Sequence, residues 1–180
     1  MINYLIKKFP LVRSWIDATI ESHAEKSLSI KTLILTQKLK RLPQYFTDNS
    51  LSHTRVVIVD KVPVPPLSSL GVPVFGDFEK GDYGGITYKN TYFIKRQCLS
   101  DESLHFHELI HIIQWAYLGV DKFLLAYALG LIENGYKESP LEKMAYNHQQ
   151  LFESNSNPYS VEDAIKLELD ILLQNIGYLI

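Results

Sequence analysis

One short block of strand-forming sequence lies between two helical stretches, and this order limits what the chain can fold into. The block spans residues 54–95. Its first part, "TRVVIVD" (54–60), is brief and β-branched, which predicts a buried strand. Its last part, "GGITYKNTYFI" (84–94), sets two strand-like runs either side of Lys89-Asn90, and asparagine tolerates the turn that such a hairpin needs. Between them, "KVPVPPLSSLGVPVF" (61–75) is a proline-rich connection. Residues 1–46 read as helical. Pro10 suits the first turn of a helix, and Val12, Trp15, Ile16, Thr19, Ile20 and His23 recur at spacings of three and four. A second helix is expected over Ser29–Leu42, stopped by Pro43. Residues 101–180 are helical again. Ser100 can cap a helix from Asp101 that Gly119 halts; further helices are expected over Asp121–Asn134, from Ser139-Pro140, and from about Ser160. Helices, a small antiparallel sheet, then helices predict one α+β domain over 1–180.

Composition excludes several function classes. A net charge of −2 gives no pull toward nucleic acid or an anionic membrane surface, and the basic cluster Lys38, Lys40 and Arg41 reads as the solvated end of a helix. Cys98 is the only cysteine, so no internal disulfide forms. The N-terminal "MINYLIKKFPLVRSW" lacks the long apolar run of a signal peptide, and the apolar stretches fall short of a membrane span. The expected location is the cytoplasm.

The chemistry concentrates in "HELIH", residues 107–111. On a helix, His107 and His111 stand one turn apart on one face. Two imidazoles so placed can converge on one zinc ion at about 2.0–2.1 Å each. Glu108 is turned about 100° from His107, beside such a metal rather than on it, where a general base for water would stand. Leu109, Ile110, Ile113 and Leu118 give the helix an apolar surface to bury, and burying two histidines and a glutamate with it requires partners or a metal.

A third ligand must come from elsewhere. Glu142 has two roles open to it. Ser139-Pro140-Leu141-Glu142 is a capping box with proline at the first helical position, in which Glu142 would bond back to the cap; alternatively, Ser139 caps while Glu142 turns to the metal. Asp121, Glu133, Glu138 and His148 are the other acidic or imidazole candidates, His148 at most as a supporting group. His105 is expected to be partly exposed, His23 and His53 to be structural, and Trp115 to be core. Tyr136 or Tyr146 can donate to an oxyanion, or both simply pack.

HExxH followed by E-x-x-A-[D/N/Y] on a later helix resembles the gluzincin-type zinc metallopeptidases of the zincin superfamily. Over roughly residues 101–155, His107 and His111 match the histidine ligands, Glu108 the catalytic base, Glu142 the third ligand, and Ala145-Tyr146 the pair that follows it. Gln114 and Tyr117 stand where a metzincin would carry glycine and histidine, so the resemblance is to the glutamate branch. The resemblance implies a zincin-like fold, one Zn2+ per chain, and hydrolysis of a peptide or amide bond in a peptide or protein substrate. It gives the hairpin at residues 85–94 the task of holding that substrate by strand addition. Two other readings stay open. One is a non-catalytic zinc-binding structural or interaction module on the same scaffold. The other is a helical interaction domain in which HELIH is accidental.

Overall fold

The computed structural model describes residues 2–154 and 157–176. Helix α1 (Ile2–Ser22) is followed by the two-residue strand β1 (Leu28–Ser29), α2 (Ile30–Gln37) and α3 (Asp48–His53). Strand β2 (Arg55–Val59), the short helix α4 (Gly76–Glu79) and the hairpin β3 (Gly85–Tyr88) and β4 (Thr91–Lys95) form the middle of the chain. Helices α5 (Glu102–Asn134), α6 (Pro140–Glu153) and α7 (Val161–Ile176) complete it. The architecture is α+β.

The sheet corrects one expectation. Its order is β1-β2-β4-β3, and β2 pairs with β4 in parallel, Arg55 opposite Thr91 through Val59 opposite Lys95. The sheet is therefore mixed, not antiparallel. The connection from Asp60 to Asn90 crosses over so that β3, not β2, becomes an edge. β4, buried along its whole length, is one of the two inner strands. The hairpin turns at Lys89-Asn90, but the residue with positive φ is Lys89 (56°).

Local corrections have physical causes. Pro10 lies inside α1, not at its start. The buried stripe Leu5, Phe9, Val12, Ile16 and Thr19 runs straight through it, so packing outweighs the proline penalty of about 3 kcal/mol. α2 ends at Gln37, with Lys38 in the left-handed conformation, well before Pro43. The cap of α5 is Asp101, whose carboxylate accepts from Leu104 N–H at 3.1 Å, rather than Ser100. Of the basic cluster, Lys38 and Lys40 are exposed, whereas Arg41 is half-buried: it packs over the Phe152 ring at 3.8 Å and donates to Phe152 O.

Gly119 interrupts α5 with φ 69° and ψ 171°, values open essentially to glycine alone. The first half of α5 lies against the sheet, and the second half is redirected toward α1, where Arg13 pairs with Asp121. By length and composition α5 is apolar enough to cross a membrane, and 44% of its 18-residue apolar window is buried inside the fold. Its first half serves two neighbours. His105, Glu108 and Trp115 reach the sheet, while His107, His111 and Gln114 reach α6.

Candidate metal centre

The structure brings His107, His111 and Glu142 together from α5 and α6. All three are buried, and each can offer one ligand atom within 4.8 Å of the others. The two Nε2 atoms are 3.1 Å apart. Glu142 Oε2 lies 3.5 Å from His107 Nε2, and Oε1 lies 3.5 Å from His111 Nε2. This buried group could hold a metal ion.

The surroundings determine which nitrogens face the centre. His111 Nδ1 is 2.7 Å from Gln114 Oε1, and Gln114 Nε2 donates to the Leu141 carbonyl at 3.0 Å. A carbonyl only accepts, so the Gln114 amide is oriented with its oxygen toward His111, and His111 Nδ1 must donate. His107 repeats the device. Its Nδ1 donates to Gln149 Oε1 at 3.0 Å, and Gln149 Nε2 donates to Glu153 Oε1 at 2.7 Å. In the neutral imidazoles both Nε2 atoms then carry lone pairs, pointed at one another and at a carboxylate. Such a convergence repels itself unless a proton or a cation sits in it.

Glu142 does not act in the capping box. Ser139 makes no side-chain cap, and the turn is closed by Lys143 N–H donating to Ser139 O at 2.8 Å. The Glu142 carboxylate instead receives Tyr127 O–H on Oε1 at 2.6 Å, while Oε2 has no hydrogen-bond partner among the described residues. An orphaned, fully buried carboxylate oxygen beside two imidazoles is what a cation would satisfy. Burial pushes the Glu142 carboxyl up, but the neighbouring His111 and His107 outweigh it and hold it far below the usual carboxylate range. Burial likewise pushes His111 down, and the Glu142 charge outweighs it, raising His111 to about 9.

Glu108 stands on the sheet side. Thr87 Oγ donates to its Oε2 at 2.6 Å and to its backbone carbonyl at 3.3 Å. The other oxygen lies over Gly85, where any Cβ would overlap Glu108 Oε1 and approach Cδ to 2.8 Å. Burial raises the Glu108 pKa, against the opposing charges of His107 and His111 and the Thr87 hydrogen bond.

The other sequence candidates lie elsewhere. Asp121 pairs with Arg13, and Glu138 with Lys143. Glu133 is exposed. His148 is held between Tyr159 O–H (2.6 Å) and Glu168 (2.8 Å), tying α6 to α7. His105, expected to be partly exposed, is fully buried: Nε2 donates to Leu99 O at 2.9 Å and Nδ1 accepts from Tyr92 O–H at 2.7 Å. The Tyr146 ring packs 4.6 Å from that of His107, and the Tyr136 ring packs 5.1 Å from that of Tyr83. Sequence reasoning did not single out Gly85, Thr87, Tyr127 or Gln149. Gln114 alone had a local signal, standing one helical turn beyond His111.

Compared with family models, curated proteins and solved structures, the chain matches none.

Proposed function

We propose that the protein is a zinc-dependent hydrolase that cleaves a peptide or amide bond. One observation carries the reading: two imidazole nitrogens, each fixed as an acceptor by a glutamine behind it, converge with an orphaned carboxylate oxygen beside a second, separately held carboxylate. A mixed nitrogen and oxygen donor set suits zinc. His107 Nε2, His111 Nε2 and Glu142 would hold it, and zinc bound there supplies a Lewis acid that acidifies water and polarises a carbonyl.

The remaining roles belong to the chain's own groups. Thr87 fixes Glu108 through Oε2, which leaves Oε1 to take a proton from water and return it to the departing nitrogen. Burial raises the Glu108 pKa, which makes the carboxylate a stronger base. Gln114 and Gln149 keep the imidazoles oriented, and Tyr127 fixes Glu142. β3 is the edge strand beside Glu108. Because Lys95 N–H bonds Gly84 O, the alternate residues Gly85 and Thr87 direct their backbone groups away from β4. Thr87 O already accepts the Trp115 indole N–H at 3.1 Å. An extended substrate would therefore pair with β3 at Gly85 and stop at Thr87.

The test is elemental analysis of the purified protein without added metal, followed by assay of Glu108→Gln and Glu142→Gln on fluorogenic peptide and simple amide substrates. About one zinc per chain, with turnover lost in both variants, supports the reading. Zinc retained with no turnover of any substrate leaves a structural metal module. No metal, and none taken up, rejects both.

A further inference from the structure

β3 is an edge strand whose Gly85 turns its backbone groups away from β4. Gly85 has no side chain, so it lines the adjacent cavity with backbone atoms alone. Leu5, Phe9, Val12 and Ile16 line the same cavity from α1, and Glu108, His111 and Glu142 stand in its wall. At the hairpin the helix touches the strand directly: Trp15 meets the Tyr88 ring edge-on (5.7 Å, 81°), and Asp17 pairs with Lys89. The backbone groups that a substrate would pair with therefore open into a space that α1 bounds. That space measures about 110 Å³. An engineered cavity of about 150 Å³ holds one benzene, so this one takes a single side chain. A segment paired with β3 brings a backbone and several side chains, which the space beneath α1 does not hold.

The seat of α1 is poorly made for a permanent contact. Its buried stripe faces a void, and side chains with no partner on one side forfeit dispersion contacts there. Arg13 Nε is buried with no hydrogen-bond partner among the described residues, although the same guanidinium pairs with Asp121. The polar ties are peripheral. The side chains of Arg13 and Asp121 are 41% and 63% exposed, those of Asp17 and Lys89 58% and 33%, and Tyr4 donates to Gly71 O at the surface. Ion pairs so placed hold weakly. One exposed turn, Ala24–Lys26, joins the helix to β1. Lids are drawn from contacts of this low local stability.

We propose that α1 is a lid over the centre: an extended segment reaches Gly85 only when α1 lifts from β3, and the helix then closes on the apolar side chains of that segment. The second half follows from the stripe. Leaving Leu5, Phe9, Val12 and Ile16 in water opposes opening, so a guest that keeps the lid raised must cover them with apolar groups of its own. The motion of α1 stands apart from any reaction; the identity of the guest, an apolar peptide segment, rests on the hydrolase reading.

Hydrogen exchange on the full chain tests the motion without calling on turnover. The α1 amides should exchange faster than those of β2 and β4, independently of global unfolding. Lys89→Glu sets like charges against each other and should speed α1 exchange by up to about fivefold, and adding Asp17→Lys should restore the wild-type rate. Exchange of α1 only together with β2 and β4 overturns the lid. For the guest, Asp17→Cys and Lys89→Cys are combined with Cys98→Ser and joined by a reductant-cleavable bismaleimide. Peptide turnover should fall at least about tenfold and return when the link is cut; unchanged turnover in the linked protein overturns the lid. With the wild-type protein, a leucine-bearing fluorogenic peptide should be preferred to a glycine–serine one by at least about tenfold in kcat/KM. Equal use of the two overturns the closure of α1 on the bound segment. No turnover of any peptide or amide by the unlinked protein rejects the hydrolase reading, and the exchange result then decides the lid by itself.

Discussion

Thr87 Oγ lies 2.6 Å from Glu108 Oε2, so the edge strand of the sheet holds a carboxylate of the central helix in place. That hydrogen bond lowers a pKa that burial raises. Thr87→Val should therefore push the Glu108 pKa up further and move the acid limb of kcat/KM to higher pH, while Thr87→Ser should restore it. Removing the buried bond is expected to lower stability by about 1.5–3 kcal/mol, read by urea unfolding. An unchanged acid limb would detach Glu108 from the reaction.

Glu108→Gln separates binding from turnover. The side chain keeps its size but cannot take a proton, so metal content should equal that of the wild type while kcat falls by about 10²–10⁴-fold. Full activity in this variant would reject the assignment of the base.

Gly85→Ala tests the same carboxylate from the other side. The added methyl would occupy the space of Glu108 Oε1. Activity should fall with metal content unchanged, because the steric conflict touches neither histidine. Equal losses of metal and activity would show that the substitution disturbs the centre as a whole.

The histidine–glutamate cluster makes metal binding and protonation compete. With His111 raised to about 9, the metal-free protein carries a proton there at pH 7. Loading at that pH should release about one proton, measured by calorimetry in buffers of different ionisation enthalpy. The sign for stability follows from both groups. The His111 contribution is complete below its usual 6.5 and is lost as pH rises through about 9. The Glu142 contribution is present above its usual 4.5 and is lost as pH falls toward its depressed value. The metal-free protein should therefore melt highest between about 4.5 and 6.5, as far as this pair decides. Loading should move the optimum upward, and a melting profile indifferent to loading would contradict the pairing.

Gly119→Ala isolates the break in α5. Beyond its chain neighbours and the helix's own backbone, nothing lies within 4 Å of the added Cβ, so the effect is backbone strain. At φ 69° and ψ 171° it should cost about 1–3 kcal/mol, visible as a lower Tm. A neutral substitution would mean that the break adapts.

The sequence carried the α+β order, the hairpin, the Gly119 break and the local spacing of His107, Glu108 and His111, since each depends on neighbours within a turn or two. It did not carry the parallel pairing of β2 with β4, which joins residues 36 positions apart across an irregular connection. Pro10 misled because local preference favours a helix start, while the buried stripe from Leu5 to Thr19 gains more by continuing. The role of Glu142 could not be read from Ser139-Pro140-Leu141-Glu142, because capping and turning inward leave the same sequence. Only the placement of α6 against His107, His111 and Tyr127 separates them. Gly85 and Thr87 were hidden for a related reason: their partner is Glu108, on another element.

The three groups that could hold a metal sit on one contiguous helical hairpin, residues 102–153, whereas the groups that fix Glu108 come from the sheet. An ion captured early would clamp α5 to α6 across a closed loop before β3 has docked. Capture and chemical competence would then arise at different stages of folding. Refolding followed at once by metal uptake and by turnover would show the first signal leading the second.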